Sequence, residues 1–144
     1  MNIKISTLVG ADLNQVKEGF TEDLFLKLNP PFPPVELLRF DGCKKNDVVA
    51  LELNFFVFKQ YWISLITKDF SNENEWYFVD KGVKLPFFLK RWKHHHGVKS
   101  SEKGALIVDD ITYSTGIIIS DLLIYPLLYF QFLYRKPFYK KIFR

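Results

Sequence analysis

Residues 92–113 read WKHHHGVKSSEKGALIVDDITY and contain two strand-like segments joined by a polar turn. Aromatic, β-branched and other apolar residues recur in and just before these segments, and Gly97 and Gly104 mark the turn between them. We therefore predict one strand over residues 87–96 and a second over residues 104–113, paired as neighbours in an antiparallel sheet.

The alternation of side chains along a strand places the polar residues of this stretch on defined faces. His94 and His96 share one face, and Asp109 and Tyr113 share a face of the next strand. Because Asp109 and Asp110 point in opposite directions, one carboxylate must face the packed side or a pocket. A buried carboxylate needs a partner, since otherwise its pKa rises and its charge is lost. The plain explanation is a satisfied polar pair or a salt bridge to Lys90, Arg91 or Lys93.

These histidines and carboxylates allow more than one kind of site. Imidazole titrates near neutrality, so His94 is a candidate general acid or base, and Asp109 is a second candidate. Two histidines and a carboxylate can bind a metal, but structural zinc requires a tetrahedral ligand set, and no cysteine cluster or HExxH helix is present. We predict no metal site, and we take structural or ligand-bonding histidines as the main interpretation. No phosphate-binding loop or GxSxG motif occurs, so no cofactor is predicted.

The chain before this stretch predicts one strand, a helical region and further strands. Residues 2–9 alternate like a strand, and apolar positions recur at helical spacing over residues 13–28, where Thr21 offers a second cap in the middle. The prolines of residues 29–34 exclude a helix there. Strands are predicted over residues 35–40, 48–58, 60–67 and 76–80. Strands segregated from helices in this way are typical of an α+β domain.

Residues 117–134 read IIISDLLIYPLLYFQFLY and have about the minimum length of a membrane span. Asp121, Pro126 and Gln131 argue against a span, because an acidic residue at bilayer depth costs several kcal/mol. We predict a long helix packed against a curved sheet, with a tail anchor as the alternative. The basic cluster of residues 135–144 keeps contact with a membrane surface open.

Composition and charge place the chain among globular proteins. A length of 144 residues with 48% hydrophobic and 17% aromatic residues fits one domain over residues 1–144. The net charge of +4 arises largely in the C-terminal cluster, which suits a helix end better than a nucleic-acid surface. The single cysteine, Cys43, excludes an internal disulfide and has no adjacent base that would make it a nucleophile. With no secretory leader, a cytoplasmic protein is expected.

The order of these motifs resembles the START-like superfamily, in particular its polyketide-cyclase-like branch, SRPBCC. That branch shows an H-x-H strand, a glycine-initiated strand containing D-x-v-x-Y, and a helix closing in F-x-y-R. The matching positions are His94, His96, Gly104, Asp109, Tyr113, Tyr134 and Arg135. Ala105 stands where a threonine is usual, and Ser114, Thr115 and Gly116 stand where a Pro-x-Gly turn is usual, which affects the mouth of a pocket.

The resemblance implies a helix-grip fold, in which a seven-stranded antiparallel sheet curves around the C-terminal helix and leaves a cavity. Members bind lipids, sterols, polyketides or aromatic products, and some are cyclases. We therefore predict the binding of a small hydrophobic or amphipathic ligand, and no binding of nucleic acid. A cyclase or dehydratase with His94 or Asp109 as its acid–base group is the first alternative, and a peripheral membrane protein using the basic C-terminus is the second. The expected ligand-binding residues are Trp92, His94, Asp109, Tyr113 and Tyr125.

Overall fold

The computed structural model describes residues 1–144 and contains seven strands and four helices. The strands are β1 (Asn2–Val9), β2 (Val35–Phe40), β3 (Val48–Asn54), β4 (Lys59–Ser71), β5 (Glu75–Lys84), β6 (Arg91–Ser101) and β7 (Gly104–Ser114). The helices are α1 (Leu13–Gly19), α2 (Glu22–Lys27), α3 (Ile118–Leu133) and α4 (Arg135–Ile142). The predicted α+β class is confirmed.

All seven strands belong to one antiparallel sheet in the order β1-β7-β6-β5-β4-β3-β2. Strands β2 to β7 follow one another as sequential neighbours, and β1 returns to pair with β7 in a register that sets Ile5 opposite Asp109. The two short helices carry the chain from β1 at one edge to β2 at the other. The sheet curves, and α3 packs on its inner face through Leu128 and Phe132.

The N-terminal helical region, for which the sequence allows one helix or a broken pair, forms two helices, and the break has a local cause. Asp12 caps α1 in a capping box, since its side chain accepts from the backbone N–H of Gln15 and the Gln15 side chain accepts from the Asp12 N–H. The Thr21 hydroxyl then caps α2 by accepting from the N–H of Leu24. Two helix starts within ten residues leave no room for one continuous helix.

Several predicted strand boundaries are wrong. Strand β4 runs on from the predicted residue 67 to Ser71, and β5 runs on from residue 80 to Lys84. Two further errors come from aromatic residues in turns. The segment predicted over residues 48–58 ends at Asn54, because Phe56 has a φ of 69°, which lies outside the range that a strand allows. The segment predicted over residues 87–96 begins only at Arg91 and runs through Gly97 to Ser101. Strand β6 continues past Gly97 because residues of both neighbouring strands pair with it there.

The C-terminal apolar segment forms α3 as predicted, but a second helix follows it. Pro126 lies inside α3, and α4 begins directly after Tyr134. Helix α4 is anchored by two buried aromatic residues, Tyr139 and Phe143, which join the hydrophobic cluster of α1, α2 and the far ends of the strands. None of the four helices combines the length and the hydropathy that crossing a membrane requires.

Candidate functional site

A cavity of about 420 Å³ lies between the inner face of the sheet and the helices. Of its 31 lining residues, 20 are hydrophobic. Alternation, shifted once by a bulge in β2, decides which strand residues reach it, and they are Val35 and Phe40 on β2; Val49, Leu51 and Leu53 on β3; Trp62, Ser64 and Ile66 on β4; Phe78 and Asp80 on β5; and Trp92, His94 and His96 on β6. The exposed apolar residues in the lining are Phe32 and Leu127, so the cavity opens between the proline-rich connector and α3.

One wall of this cavity is polar, and the register of three neighbouring strands assembles it. Asp80 on β5 is the cross-strand partner of His94 on β6. His96, two residues further on the same face, is the partner of Asp109 on β7. Two carboxylates and two imidazoles therefore meet on one patch of the sheet, and Arg135 approaches them from the start of α4.

His94 lies between two carboxylates and uses both ring nitrogens. Its Nε2 is 2.8 Å from Oδ1 of Asp109, and its Nδ1 is 3.3 Å from Oδ2 of Asp80. Burial by itself lowers the pKa of an imidazole, but the hydrogen bonds and charges of the two carboxylates outweigh burial and raise the pKa of His94 to about 9. At neutral pH His94 is an imidazolium that donates from both nitrogens, so it has no lone pair for accepting a proton.

Asp109 is the anionic centre of the network. Its Oδ1 accepts from Nε2 of His94 at 2.8 Å and from Nδ1 of His96 at 2.9 Å. Arg135 lies 3.9 Å from the same oxygen and places its guanidinium over the ring of Phe132. Burial opposes the charge of this carboxylate, but these donors hold its pKa far below the ordinary range. Asp109 is therefore a structural anion and cannot act as a general acid.

His96 has the opposite character to His94. Burial, the dominant effect, lowers its pKa, so the ring is neutral and its one N–H, on Nδ1, donates to Asp109. Nε2 of His96 has no hydrogen-bond partner and is enclosed by aromatic rings, with Phe20 at 4.4 Å and Phe78 at 5.1 Å between ring centroids. Of the two inward histidines, only His96 keeps an unshared basic nitrogen.

The structure brings some of the predicted site residues together and separates others. Trp92 and His94 line the cavity, and Trp92 also donates its indole N–H to Asp80 at 3.1 Å. Asp109 is not part of the lining and stands behind the two histidines, which are. The two tyrosines lie outside the lining.

The tyrosines are displaced from the cavity because α3 covers this part of the sheet. Tyr113 shares the inward face of Asp109, but its hydroxyl donates to the carbonyl oxygen of Asp121 at 2.6 Å, where α3 begins. Tyr125 is half-buried and stacks on Tyr129 along the same helix. Both side chains therefore belong to the contact between sheet and helix.

Asp80 is the site residue that the sequence did not single out. It precedes Lys81-Gly82, which is typical of a turn, yet β5 continues through this pair to Lys84. The salt bridge predicted from Asp109 to Lys90, Arg91 or Lys93 is wrong, because these three side chains are exposed on other faces. A signal did exist, since Asp80 lies on the same predicted face as Phe78.

Three potential metal ligands occur together, but their atoms are committed to one another. One nitrogen of His94, one of His96 and an oxygen of Asp109 lie within 4.8 Å of each other. A metal ion would have to replace the proton on His94 and both hydrogen bonds to Asp109, against the positive charge of Arg135. In this structure the three groups form a hydrogen-bond network.

Cys43 lies half-buried at the edge of the cavity, beside the hydrophobic cluster around α1 and α2. Burial raises the pKa of its thiol to about 12, and the carboxylates of Asp47 and Asp80 add to this effect. A thiol with this pKa is protonated at neutral pH and is a poor nucleophile.

This architecture, a curved seven-stranded sheet that grips a C-terminal helix around an apolar cavity, is the START-like helix-grip fold, as the sequence resemblance predicted. Its solved examples include aromatase/cyclases and a synthase that has been seen with small aromatic molecules. No model of a known protein family matches the chain, and no curated protein matches it in sequence.

Three solved structures illustrate the likeness. Zhui aromatase/cyclase from Streptomyces sp. R1128 is 11% identical, with a TM-score of 0.64 over 95% of this chain and 89% of that one. The di-domain ARO/CYC StfQ of the steffimycin biosynthetic pathway is 11% identical, with a TM-score of 0.70 over 99% of this chain and 50% of that one. Norcoclaurine synthase from Thalictrum flavum, in complex with dopamine and hydroxybenzaldehyde, is 13% identical, with a TM-score of 0.61 over 94% of this chain and 84% of that one.

Proposed function

We propose that this protein binds a small hydrophobic or amphipathic molecule, of lipid, polyketide or aromatic type, in the cavity between the sheet and α3. The observation that carries the proposal is a mostly apolar cavity with a charged, hydrogen-bonded wall around His94. Apolar burial would supply most of the affinity, at roughly 0.8 kcal/mol per buried CH₂ group. The polar wall would fix the orientation of the ligand.

The dimensions of the cavity suit this function. Pockets that take drug-sized ligands have volumes of roughly 300–1,000 Å³ and are mostly apolar, with a few placed polar groups. The cavity falls within that range at about 420 Å³. A molecule of two or three fused rings, or a short acyl chain, would fill it.

The polar wall is also held rigid before any ligand arrives. His94 is fixed from both sides by carboxylates, and Asp80 is fixed in addition by the indole of Trp92. Groups that are already ordered lose little entropy when a ligand binds. Charges within the wall are balanced, because Asp80 and Asp109 face His94 and Arg135, so the wall favours neutral ligands over strongly charged ones.

Two measurements test this proposal. Native mass spectrometry of gently purified protein, followed by organic extraction, is expected to reveal one apolar molecule per chain. Titration of emptied protein with 2-naphthol is expected to change the intrinsic fluorescence, because Trp62 and Trp92 both line the cavity.

A pair of substitutions on β3 provides the control. Val49→Phe adds a ring inside the cavity and is expected to abolish 2-naphthol binding, whereas Val48→Phe adds the same ring on the other face of the strand and is expected to preserve it. Equal binding by both variants would place the probe elsewhere and contradict the proposal.

A second candidate function is an acid–base enzyme of the cyclase or dehydratase type, and the state of His96 favours it. The neutral ring is oriented by Asp109 through Nδ1, which leaves Nε2 as the basic atom. This assigns proton transfer to His96 in place of His94, whose nitrogens are both occupied. In a dehydration, Nε2 would take the α-proton of a β-hydroxy ketone and pass it to the β-hydroxyl, so that the C–O bond breaks with loss of water and the ring returns to its neutral form.

The enzyme candidate is tested with a phenyl-substituted β-hydroxy ketone, whose loss of water forms a conjugated enone with strong ultraviolet absorbance. His96→Gln is expected to abolish turnover while keeping 2-naphthol binding. His95→Gln is the matched control, because His95 lies on the opposite face and stacks near Tyr77. Turnover that survives in His96→Gln would exclude His96 as the base, and absence of turnover in the unmodified protein would leave binding as the function.

A further inference from the structure

A group of large apolar side chains lies exposed around the opening of the cavity. This apolar rim consists of Phe32, Phe56, Val57, Phe87, Leu123 and Leu127, which are exposed by between 54% for Phe32 and 89% for Val57. They come from the proline-rich connector, the β3–β4 turn, the β5–β6 loop and α3. Single exposed apolar residues are common in proteins, but a contiguous patch indicates a surface that contacts something apolar.

The rim is continuous with the inside of the cavity. Phe32 and Leu127 belong to both the rim and the lining. Phe56 stacks on Phe32 with 5.8 Å between ring centroids, and Phe58 joins the lining residue Phe55 to the exposed Phe87 at 5.2 and 5.9 Å. An apolar molecule leaving the cavity would pass directly onto this surface.

Unpaired basic side chains border the rim. In residues 54–60, 84–91 and 114–130, the exposed charged side chains are all basic; Lys59 is paired with Glu52 at 2.9 Å, and Lys84, Lys90 and Arg91 have no ion-pair partner. The one acidic residue in these segments, Asp121, is buried and accepts from the backbone N–H of Thr115 at 2.6 Å. The rim thus combines exposed aromatic and aliphatic groups with a cationic border.

We propose that the apolar rim docks on the surface of an anionic lipid bilayer, with Val57, Phe87 and Leu123 entering the headgroup region. Apolar insertion and attraction of basic side chains to anionic lipids act together in this kind of contact. The cavity mouth would then open toward lipid, so an apolar ligand could exchange without crossing water. A second copy of the chain is a poorer occupant, because a two-fold interface brings like surfaces together and would oppose cation to cation.

This surface differs from the C-terminal basic cluster that the sequence suggested for membrane contact. The carbonyl oxygen of Phe143 accepts from the N–H of Ala11, so α4 ends beside the end of β1. That end of β1 pairs with the start of β7 and, through it, with the end of β6. The rim adjoins the beginning of β6, whereas α4 ends near the other end of this strand. The eleven residues of β6 separate the two places by about 30 Å.

Vesicle flotation tests this proposal, using phosphatidylcholine vesicles with and without phosphatidylglycerol. The protein is expected to float with the anionic vesicles, and the double variant Val57→Glu/Leu123→Glu is expected to bind them at least about tenfold more weakly. The control variant Lys140→Gln/Lys141→Gln lowers the net charge by the same two units at the other end of the molecule and is expected to bind within about twofold of the unmodified protein. Retention of 2-naphthol binding in both variants shows that the cavity is intact.

Several outcomes would overturn the proposal. These are absence of vesicle binding by the unmodified protein, equal binding to vesicles lacking phosphatidylglycerol, and loss of binding only in the C-terminal variant. A dimer in sedimentation experiments that the rim variant converts to a monomer would assign the surface to a second copy and would also overturn it. Failure of 2-naphthol binding in the unmodified protein would count against the cavity proposal alone, because flotation does not depend on that probe.

Discussion

His94 and His96 are two residues apart on one strand, yet the structure gives them opposite protonation states. His94 has a carboxylate at each ring nitrogen, whereas His96 has a carboxylate at one nitrogen and aromatic rings around the other. The nearby carboxylates determine the direction of the pKa shift of His94, whereas burial determines that of His96. The difference decides which histidine can accept a proton, and it arises from a single neighbour, Asp80.

The charge on His94 predicts a specific pH dependence. Its pKa in the folded protein, about 9, is higher than the ordinary value of 6.5, so the stability it contributes is complete below about pH 6.5 and is lost as the pH rises through 9. The loss is expected to be on the order of 2–3 kcal/mol. Nitrogen NMR at pH 7 should show both ring nitrogens of His94 protonated and one nitrogen of His96 bare.

Urea unfolding at pH 6.5 and pH 9 provides the stability measurement. The variant His94→Gln is the control, since it should remove most of the fall in unfolding free energy between these two pH values. A His94 resonance that titrates near pH 6.5 would contradict the ion-pair assignment.

Removal of the central carboxylate is expected to be costly. Asp109→Asn leaves the buried His94 cation with one partner and Arg135 with none nearby, and breaking a buried ion pair from one side costs about 3–5 kcal/mol. Asp110→Asn is the matched control on the adjacent residue, whose carboxylate faces the other way and accepts from exposed Asn2. Its effect should stay within about 0.5 kcal/mol. Denaturant unfolding measures the free energy of unfolding of both variants. Equal losses in the two would contradict the assigned network.

At the scale of the elements, α3 has to be fixed to the sheet although it has no side-chain cap at its start. Two contacts with the end of β7 do this. The Tyr113 hydroxyl donates to the carbonyl oxygen of Asp121, and the Asp121 carboxylate accepts from the N–H of Thr115. This carboxylate also lies near the positive end of the helix dipole. The resemblance gave Tyr113 a place among ligand-binding residues, and the structure gives it a role in positioning the helix.

A comparison of two tyrosine variants tests that role. Tyr113→Phe removes the hydroxyl bond to α3 and is expected to lower the unfolding free energy by about 1 kcal/mol, because a buried carbonyl loses its side-chain donor. Tyr125→Phe is expected to have no measurable effect. Both variants should bind 2-naphthol like the unmodified protein, since neither residue lines the cavity. Weaker probe binding by Tyr113→Phe with unchanged stability would return Tyr113 to the ligand site.

The whole molecule is organised around an unfilled space, and this has a cost in stability. Side chains that line a cavity lose the packing contacts that a filled core provides. A ligand that binds only the folded state restores stability in proportion to its concentration over its dissociation constant. The stability of the fold is therefore expected to rise when a ligand occupies the cavity.

A substitution that fills the cavity should raise the stability of the protein and at the same time prevent ligand binding. Val49→Phe is expected to stabilise the ligand-free protein by roughly 0.5–2 kcal/mol, because the ring occupies empty apolar space. Saturating 2-naphthol should raise the melting temperature of the unmodified protein and leave that of Val49→Phe unchanged. Thermal unfolding with and without the probe measures both effects, and an equal rise in the two proteins would show that the probe does not use the cavity.

The order and faces of the elements were accessible from the sequence. Alternation correctly placed His94 and His96 on one face, because side-chain direction on a strand depends only on the local backbone. Thr21 indicated a second helix start for the same local reason. The turns around Phe56 and Phe87 were predicted as strands, and this was wrong. Aromatic residues usually indicate a buried strand, but these two are exposed in turns.

The sequence by itself therefore determined the α+β class, the order of the elements and the shared face of His94 and His96, which follow from periodicity along the chain, and its resemblance to a known family added the helix-grip fold. Only the tertiary structure decided that Asp80 is the second partner of His94, that α3 covers Tyr113, and that the apolar rim surrounds the cavity mouth. These depend on strand register and sheet curvature, which bring together residues far apart in the chain. The alternation of Asp80 with Phe78 indicates the face on which Asp80 lies, but nothing local shows which residue it meets on the next strand.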